Sequence, residues 1–259
     1  MSIKEGDPIL LYLTERKRWL VKVIKDSTMH THKGFIELNN ALDKEYGTGI
    51  KSSLGTTFWL LKPTMEDYVM KSARKTQIVY PKDMGIIAAK SGINSGSIVI
   101  ESGTGSGVLT GFIANLVKPS GHVYSYEIRE EFIEIAKKNL KRCDVLDFVT
   151  IKHCDVKEGM DISNADLGIV DVGDPWSVIK TFRDSLKGSG MIVIICPTMN
   201  QVEKSVIELN EQGFISIETI EVITRNIESR IGITRPTNRM VGHTAYLVFG
   251  KKIIYSDKD

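Results

Sequence analysis

The sequence predicts an α/β fold, a mostly parallel sheet with an antiparallel edge strand, preceded by a small N-terminal β domain. Three observations predict it. Through residues 8 to about 62, short apolar runs (ILLYL, WLVKVI, GFIEL, TFWLL) are broken by turn residues such as Asp26-Ser27 and Gly47-Thr48-Gly49, the pattern of a small antiparallel barrel or sheet. From about residue 66 the apolar period lengthens and helical segments alternate with strands, which implies a parallel sheet covered on both faces. The last two strand segments have no helical pattern between them, so they form an antiparallel pair at the sheet edge. The expected division is therefore residues 1–65 and 66–259.

Taken in order, the second part predicts helices near 66–73 and 82–91, a strand at 97–101, a helix at 107–117, a strand at 122–127 and a helix at 130–141. Strands at 148–152 and 166–171 follow, then a helix at 175–186, a strand at 190–196 and a helix at 200–211. Two long strands near 214–224 and 242–250 close the series, and the SDKD tail is expected to fray. There is no internal repeat.

With 259 residues, 42% of them hydrophobic and 25% charged, the chain can bury a sizeable core, and disorder is excluded as its main state. No apolar stretch reaches the length that spans a bilayer, and the start lacks the order of a signal peptide, so no membrane association is expected and the cytoplasm is the expected location. Cys143, Cys154 and Cys196 are odd in number and scattered, which indicates neither a disulfide framework nor a zinc site. His30 and His32 lack further clustered ligands, His243 stands alone, and no metal is assigned. A net charge of +2 does not announce a nucleic-acid binder, although Arg16-Lys17-Arg18 and Arg74-Lys75 place basic clusters early in the chain.

The segment ESGTGSG, residues 101–107, lies between a strand and a helix. Glycines there permit a tight turn and bring a ligand against main-chain N–H groups at the mouth of the helix. A dinucleotide fingerprint would read G-x-G-x-x-G, but the sixth place from Gly103 is Val108, and the glycines are Gly103, Gly105 and Gly107. The G-x-G-x-G spacing is typical of enzymes that bind S-adenosylmethionine (SAM), in which no pyrophosphate has to be held. Glu127 ends the next strand, placed to accept from both ribose hydroxyls, and is expected to face solvent in a crevice. Asp155 follows the strand after that, where an Asp can accept from an adenine amino group, and Asp171 follows the fourth. Four successive strands thus carry polar or glycine-rich sequence at their carboxyl ends, where open α/β sheets bind ligands. The bland readings are a tight turn for the glycines, a helix-dipole carboxylate for Glu127 and a cap of helix 175–186 for Asp171.

ARKTQIVYPKD (73–83), ESGTGSG, YEIRE (126–130), Asp155, DVGDPW (171–176) and RPTNRMVGHTAYLVF (235–249) together resemble the tRNA (adenine-58-N1)-methyltransferase family in its archaeal form, over essentially the whole chain. The resemblance implies a Rossmann-like class I methyltransferase sheet behind a small β domain, SAM as methyl donor, tRNA as substrate and a homotetramer. It implies that Thr76, Gln77 and Ile78 cover the cofactor and that Glu101, Thr104, Ser106, Val108 and Val156 join the three glycines, Glu127, Asp155 and Asp171 around it. Asp171 holds the catalytic position; Tyr80 and Trp176 are candidates for stacking on the target base, and Arg235 and Arg239 for phosphate contacts or a subunit salt bridge. One position departs from the family, which usually has Pro where Gly173 stands; Gly leaves that loop freer.

The chemistry fits these groups. Adenine N1 carries an in-plane lone pair, so no proton need leave before it attacks a sulfonium methyl, and positioning does most of the work. As positive charge grows on the ring, an ionised Asp171 accepting from the exocyclic amino group is stabilised selectively in the transition state. Folded tRNA shields the N1 edge, so the base must be extruded. Two other classes compete: a methyltransferase acting on another acceptor such as protein isoaspartate, and a non-catalytic RNA-binding subunit. An NAD-dependent dehydrogenase is disfavoured by the glycine spacing and by the lack of a Tyr-x-x-x-Lys dyad.

Overall fold

The structure is a computed structural model and describes residues 2–73 and 77–254. The chain forms two compact units that divide after Ser72, seven residues beyond the change of period at 65/66. The difference is one helix.

In the first unit, β1 (Pro8–Thr14), β2 (Lys17–Lys22), β3 (Thr28–Thr31), β4 (Gly34–Glu37), β5 (Gly49–Lys51), β6 (Thr57–Leu61) and α1 (Met65–Lys71) follow one another. β2-β1-β6-β5 make one antiparallel sheet, and β3 and β4 make a separate hairpin. Alternation along the strands sends Ile9, Leu11, Phe58 and Leu60 into a core shared with Ile36 and Val23. The helix starts at a capping box, in which Thr64 Oγ1 accepts from Asp67 N and the Asp67 carboxylate accepts from Thr64 N. Asp67 is buried and lies 3.4 Å from Arg18, which ties that arginine to its own unit. β3 and β5 were not foreseen because both are short, four and three residues.

The second unit contains α2 (Pro81–Ser91), β7 (Ile98–Ser102), α3 (Val108–Val117), β8 (His122–Glu127), α4 (Glu130–Arg142), β9 (Val149–His153), β10 (Ala165–Val170), α5 (Ile179–Ser185), β11 (Leu186–Cys196), α6 (Met199–Glu211), β12 (Phe214–Glu221), β13 (Ile227–Glu228), β14 (Arg235–Pro236) and β15 (Tyr246–Lys252). Among the described residues seven of these strands form one sheet in the order β12-β15-β11-β10-β7-β8-β9. Neighbours pair in parallel except at β15, which runs antiparallel to both β11 and β12. The interior strands are near-continuous apolar runs, such as Ile192, Val193 and Ile194, all buried, as a sheet covered on both faces requires.

The order reverses beside β7: the chain leaves it toward β8 and β9, then returns to β10 on its other side. At such a switch point the loops after β7 and β10 diverge and open a crevice outside the carboxyl ends of the strands. The segment foreseen as one helix at 175–186 is a 3₁₀ turn, Pro175–Val178, followed by α5. The segment between β12 and β15 makes the short β13–β14 ladder, too brief for any periodicity to register.

Candidate active site

A cavity of about 430 Å³ opens at the switch point, within the range that takes a cofactor-sized ligand. Segments that follow β7, β8, β9 and β10 line it, together with Gln77, Ile78 and Val79 ahead of α2.

The floor is set by glycine. Gly103 has φ +92°, and a Cβ there would stand 2.0 Å from the carbonyl oxygen of Asp171, so only glycine lets the two loops pass. Asp171 N donates to Ser102 O at 2.9 Å and fixes the same crossing. Gly107, φ +71°, ends the turn as the N-cap of α3, and a Cβ there would lie 2.8 Å from that of Ala136 in α4. Thr104, Gly105, Ser106 and Val108 face the cavity, whereas Gly107 does not line it. Asn139 of α4, buried, donates to Ser106 O and to Ala73 O, each at 2.8 Å. One side chain thus ties the glycine loop to the chain leading into Gln77.

Glu127 is 4% exposed, against the expectation of a solvent-facing carboxylate. Its Oε2 accepts from Gly105 N at 2.9 Å and its Oε1 from Arg129 N at 3.0 Å, which leaves each oxygen a lone pair for a ligand. Asp155 accepts from Lys157 N at 2.9 Å and so caps the short 3₁₀ turn Val156–Glu158. Tyr126 donates to Asp161 at 3.0 Å and holds the far end of that loop against β8.

Asp171 is exposed where it borders the cavity. Loss of bulk solvent, helped by the charge of Glu127, pushes its carboxyl up to about 6. It does not cap the following helix: Asp174 stands at the N-cap of the 3₁₀ turn and Val178 at that of α5. The helix-cap reading of Asp171 is thereby excluded. Glu101 lies beneath the loop and does not line the cavity; it is 1% exposed and accepts from Thr110 and Ser125 at 2.6 Å each. Burial pushes it up to about 7 in spite of those two hydroxyl donors.

The remaining candidates lie around this centre. Tyr80 is the half-buried N-cap of α2, next to the lining residue Val79. Trp176 does not line the cavity: it packs against the sheet core, and the Lys204 ammonium sits 4.3 Å from its ring centroid. Arg235 and Arg239 are exposed in the segment between β12 and β15. Thr76, with Arg74 and Lys75, lies outside the described residues. His243 is not idle: Nδ1 lies 2.6 Å from Glu221 Oε1 and Nε2 3.0 Å from Pro197 O, and these acceptors raise its pKa.

Lys157, Asp174 and Gln201 also line the cavity and were not singled out. A signal existed only for Gln201, the Gln of a T-x-x-Q capping box that begins α6.

The model of the family described as "tRNA methyltransferase complex GCD14 subunit" matches residues 56–232. The chain is 37% identical to the tRNA (adenine(57)-N(1)/adenine(58)-N(1))-methyltransferase TrmI of Methanocaldococcus jannaschii, over 93% of this chain and 94% of that protein. A crystal structure described as a SAM-dependent O-methyltransferase from Thermotoga maritima superposes with a TM-score of 0.92 at 39% identity, covering 99% of this chain and 97% of that one. The tRNA (m1A58) methyltransferase TrmI of Aquifex aeolicus superposes with a TM-score of 0.84 at 32% identity, covering 98% and 100%. With a relative this similar along almost its whole length, and with the family model matching on both sides of the glycine loop, this chain belongs to the tRNA (adenine-58-N1)-methyltransferase family.

Proposed function

We infer that the protein transfers the methyl group of SAM to N1 of adenosine 58 in the T-loop of tRNA, and to the adjacent adenosine 57 as the archaeal relative's name describes. The observation that carries the reading is the convergence of Gly103–Gly105, Glu127, Asp155 and Asp171 on one cavity at the switch point. The donor set fits SAM. Glu127 has free lone pairs for ribose hydroxyls, Asp155 has one for an amino group, and Val108 and Leu109 of the first turn of α3, where helix N–H groups have no intrahelical partner, line the cavity. Ile78 and Val156 supply apolar surface, and Gln77 stands at the rim.

When bound, SAM supplies an electrophilic sulfonium methyl. Asp171 accepts from the exocyclic N–H of the target adenine, orients N1, and balances the charge that grows on the ring. Its raised pKa leaves it ionised at neutral pH. Tyr80 stands where it can stack on the extruded base; Trp176, already engaged by Lys204, is the weaker candidate. Arg16 and Lys17 are exposed and serve as phosphate contacts, whereas Arg18 serves its own unit through Asp67; Arg235 and Arg239 are further basic contacts.

The same reading includes a homotetramer in the cytoplasm. Ile227, Ile231, Ile233 and Met240 stand exposed between β12 and β15, an apolar surface suited to another copy of the chain. Among the described residues no helix is long and apolar enough to cross a membrane.

Titration calorimetry tests the cofactor assignment. Wild type binds SAM, and Glu127→Ala weakens binding by about tenfold or more, the worth of a hydrogen bond to a charged group. Equal affinity would remove Glu127 from the site.

A further inference from the structure

The loop that carries Asp171 is held at both ends by different means. At its start, Asp171 N bonds to Ser102 O and its carbonyl packs over Gly103. Two residues on, Gly173 has open space: a Cβ there would meet nothing within 4 Å, and its φ is not in the left-handed region. Nothing in the packing demands glycine, so the chain gains backbone freedom there without a steric reason. The loop is nevertheless tethered. Gln201 Nε2, from α6, donates to Gly173 O at 3.0 Å, and Lys157 Nζ, from the turn after Asp155, donates to Asp174 Oδ2 at 2.5 Å. Ser177 Oγ donates to the same carboxylate oxygen at 3.0 Å.

Lys157 and Asp174 both line the cavity, so their contact joins the segment after β9 to the segment after β10. We propose that Lys157 and Asp174 are positioning residues: their ion pair is a latch across the cavity that holds the flexible loop bearing Asp171, with Gln201 as its second anchor. The pair is set up for reversible use. The two side chains are 46% and 44% exposed, so the contact is worth little on its own and opens readily in water. Each nonetheless perturbs the other: hydrogen bonding to Asp174 raises the Lys157 pKa, and hydrogen bonding to Lys157 lowers that of Asp174. A stronger, buried pair at this position would oppose exchange of the ligand, and no pair would leave Gly173 free to move Asp171 off line. The link to SAM rests on the reading of the cavity given above; the latch itself does not.

Amide hydrogen exchange across residues 171–178 of the ligand-free protein tests the latch directly. Lys157→Met and Asp174→Asn should each speed exchange there about two- to fivefold, the range open to an exposed pair, with little change in β7 or β10. The charge-swapped protein, Lys157→Asp with Asp174→Lys, should return toward wild type. In wild type, exchange should quicken between about 0.05 and about 0.5 M salt, and in Lys157→Met it should not respond. The second arm is displacement of labelled SAM by unlabelled SAM, which should be two- to fivefold faster in either single variant. Unchanged exchange in both single variants, or a swap no better than the singles, overturns the latch. A wild-type protein that takes up no SAM overturns the cofactor reading instead, and exchange still decides the latch.

Discussion

At the residue scale, three carboxylates in and beneath the cavity are made unequal by their surroundings. Glu127 is fixed by two backbone donors, Asp171 borders the cavity, and Glu101 is sealed beneath it. If Asp171 balances charge on the adenine ring, Asp171→Ala should lower the single-turnover methylation rate by about two to three orders of magnitude while tRNA affinity changes little. Asp171→Asn, which keeps an acceptor but no charge, should bind SAM and remain slow; equal rates for Asn and wild type would leave the residue only an orienting role. Because its pKa is raised to about 6, kcat/KM should fall as pH drops through that value with the slope of one proton, and the Asn variant should lack that limb. Glu101 yields a stability prediction. Its pKa is raised from 4.5 to about 7, so the native state holds the proton more tightly than the unfolded chain. The stability linked to that proton is fully present below pH 4.5 and is lost as pH rises through about 7, about 3 kcal/mol in all. Melting curves should therefore drop between those limits in wild type, and the drop should shrink in Glu101→Gln. Glu127 and Asp171 were legible in the sequence because each stands at or just past the carboxyl end of a strand, whereas Glu101 came only from the family resemblance. Their burial was not: exposure depends on which loops cross above them, so Glu127 was expected in solvent and Glu101 against the cofactor.

At the scale of elements, two glycines of the same crevice do opposite jobs. Gly103 is required by contact, since a Cβ there meets the Asp171 carbonyl at 2.0 Å on a backbone at φ +92°. Gly103→Ala should cost at least about 1–3 kcal/mol in strain and abolish SAM binding. Gly173 is required by nothing around it, and Gly173→Ala should raise stability by about 0.4–1 kcal/mol, visible as a higher thermal midpoint. Equal destabilisation by both would contradict the account of the crossing. The strands and helices around that crossing were legible from periodicity because long apolar runs and amphipathic helices leave a strong signal. β3, β5, β13 and β14 were not, each being two to four residues long, and the 3₁₀ turn at Pro175 was hidden by its continuity with α5. The ion pair of Lys157 with Asp174 joins residues 17 apart in sequence, and no local pattern marks such a meeting.

At the scale of the whole molecule there are two units: one with a sheet whose switch point forms the cavity, and a small antiparallel one on which Arg16 and Lys17 are exposed. The domain boundary shows what periodicity reports. It located the change from strands to helices, whereas α1 belongs by its contacts to the unit before it. An oxygen acceptor, as named for the Thermotoga structure, demands loss of a hydroxyl proton to a base, while adenine N1 demands none. The product of the reaction distinguishes the two, and it tests the central claim most directly. Unmodified tRNA transcript incubated with the pure protein and methyl-labelled SAM, then digested and mapped by mass spectrometry, should carry the label as N1-methyladenosine at position 58, with position 57 as the other permitted site, and Asp171→Ala should leave the same tRNA all but unlabelled. Label on a ribose or base oxygen, label on protein alone, or N1-methyladenosine formed equally by Asp171→Ala and wild type would contradict the account.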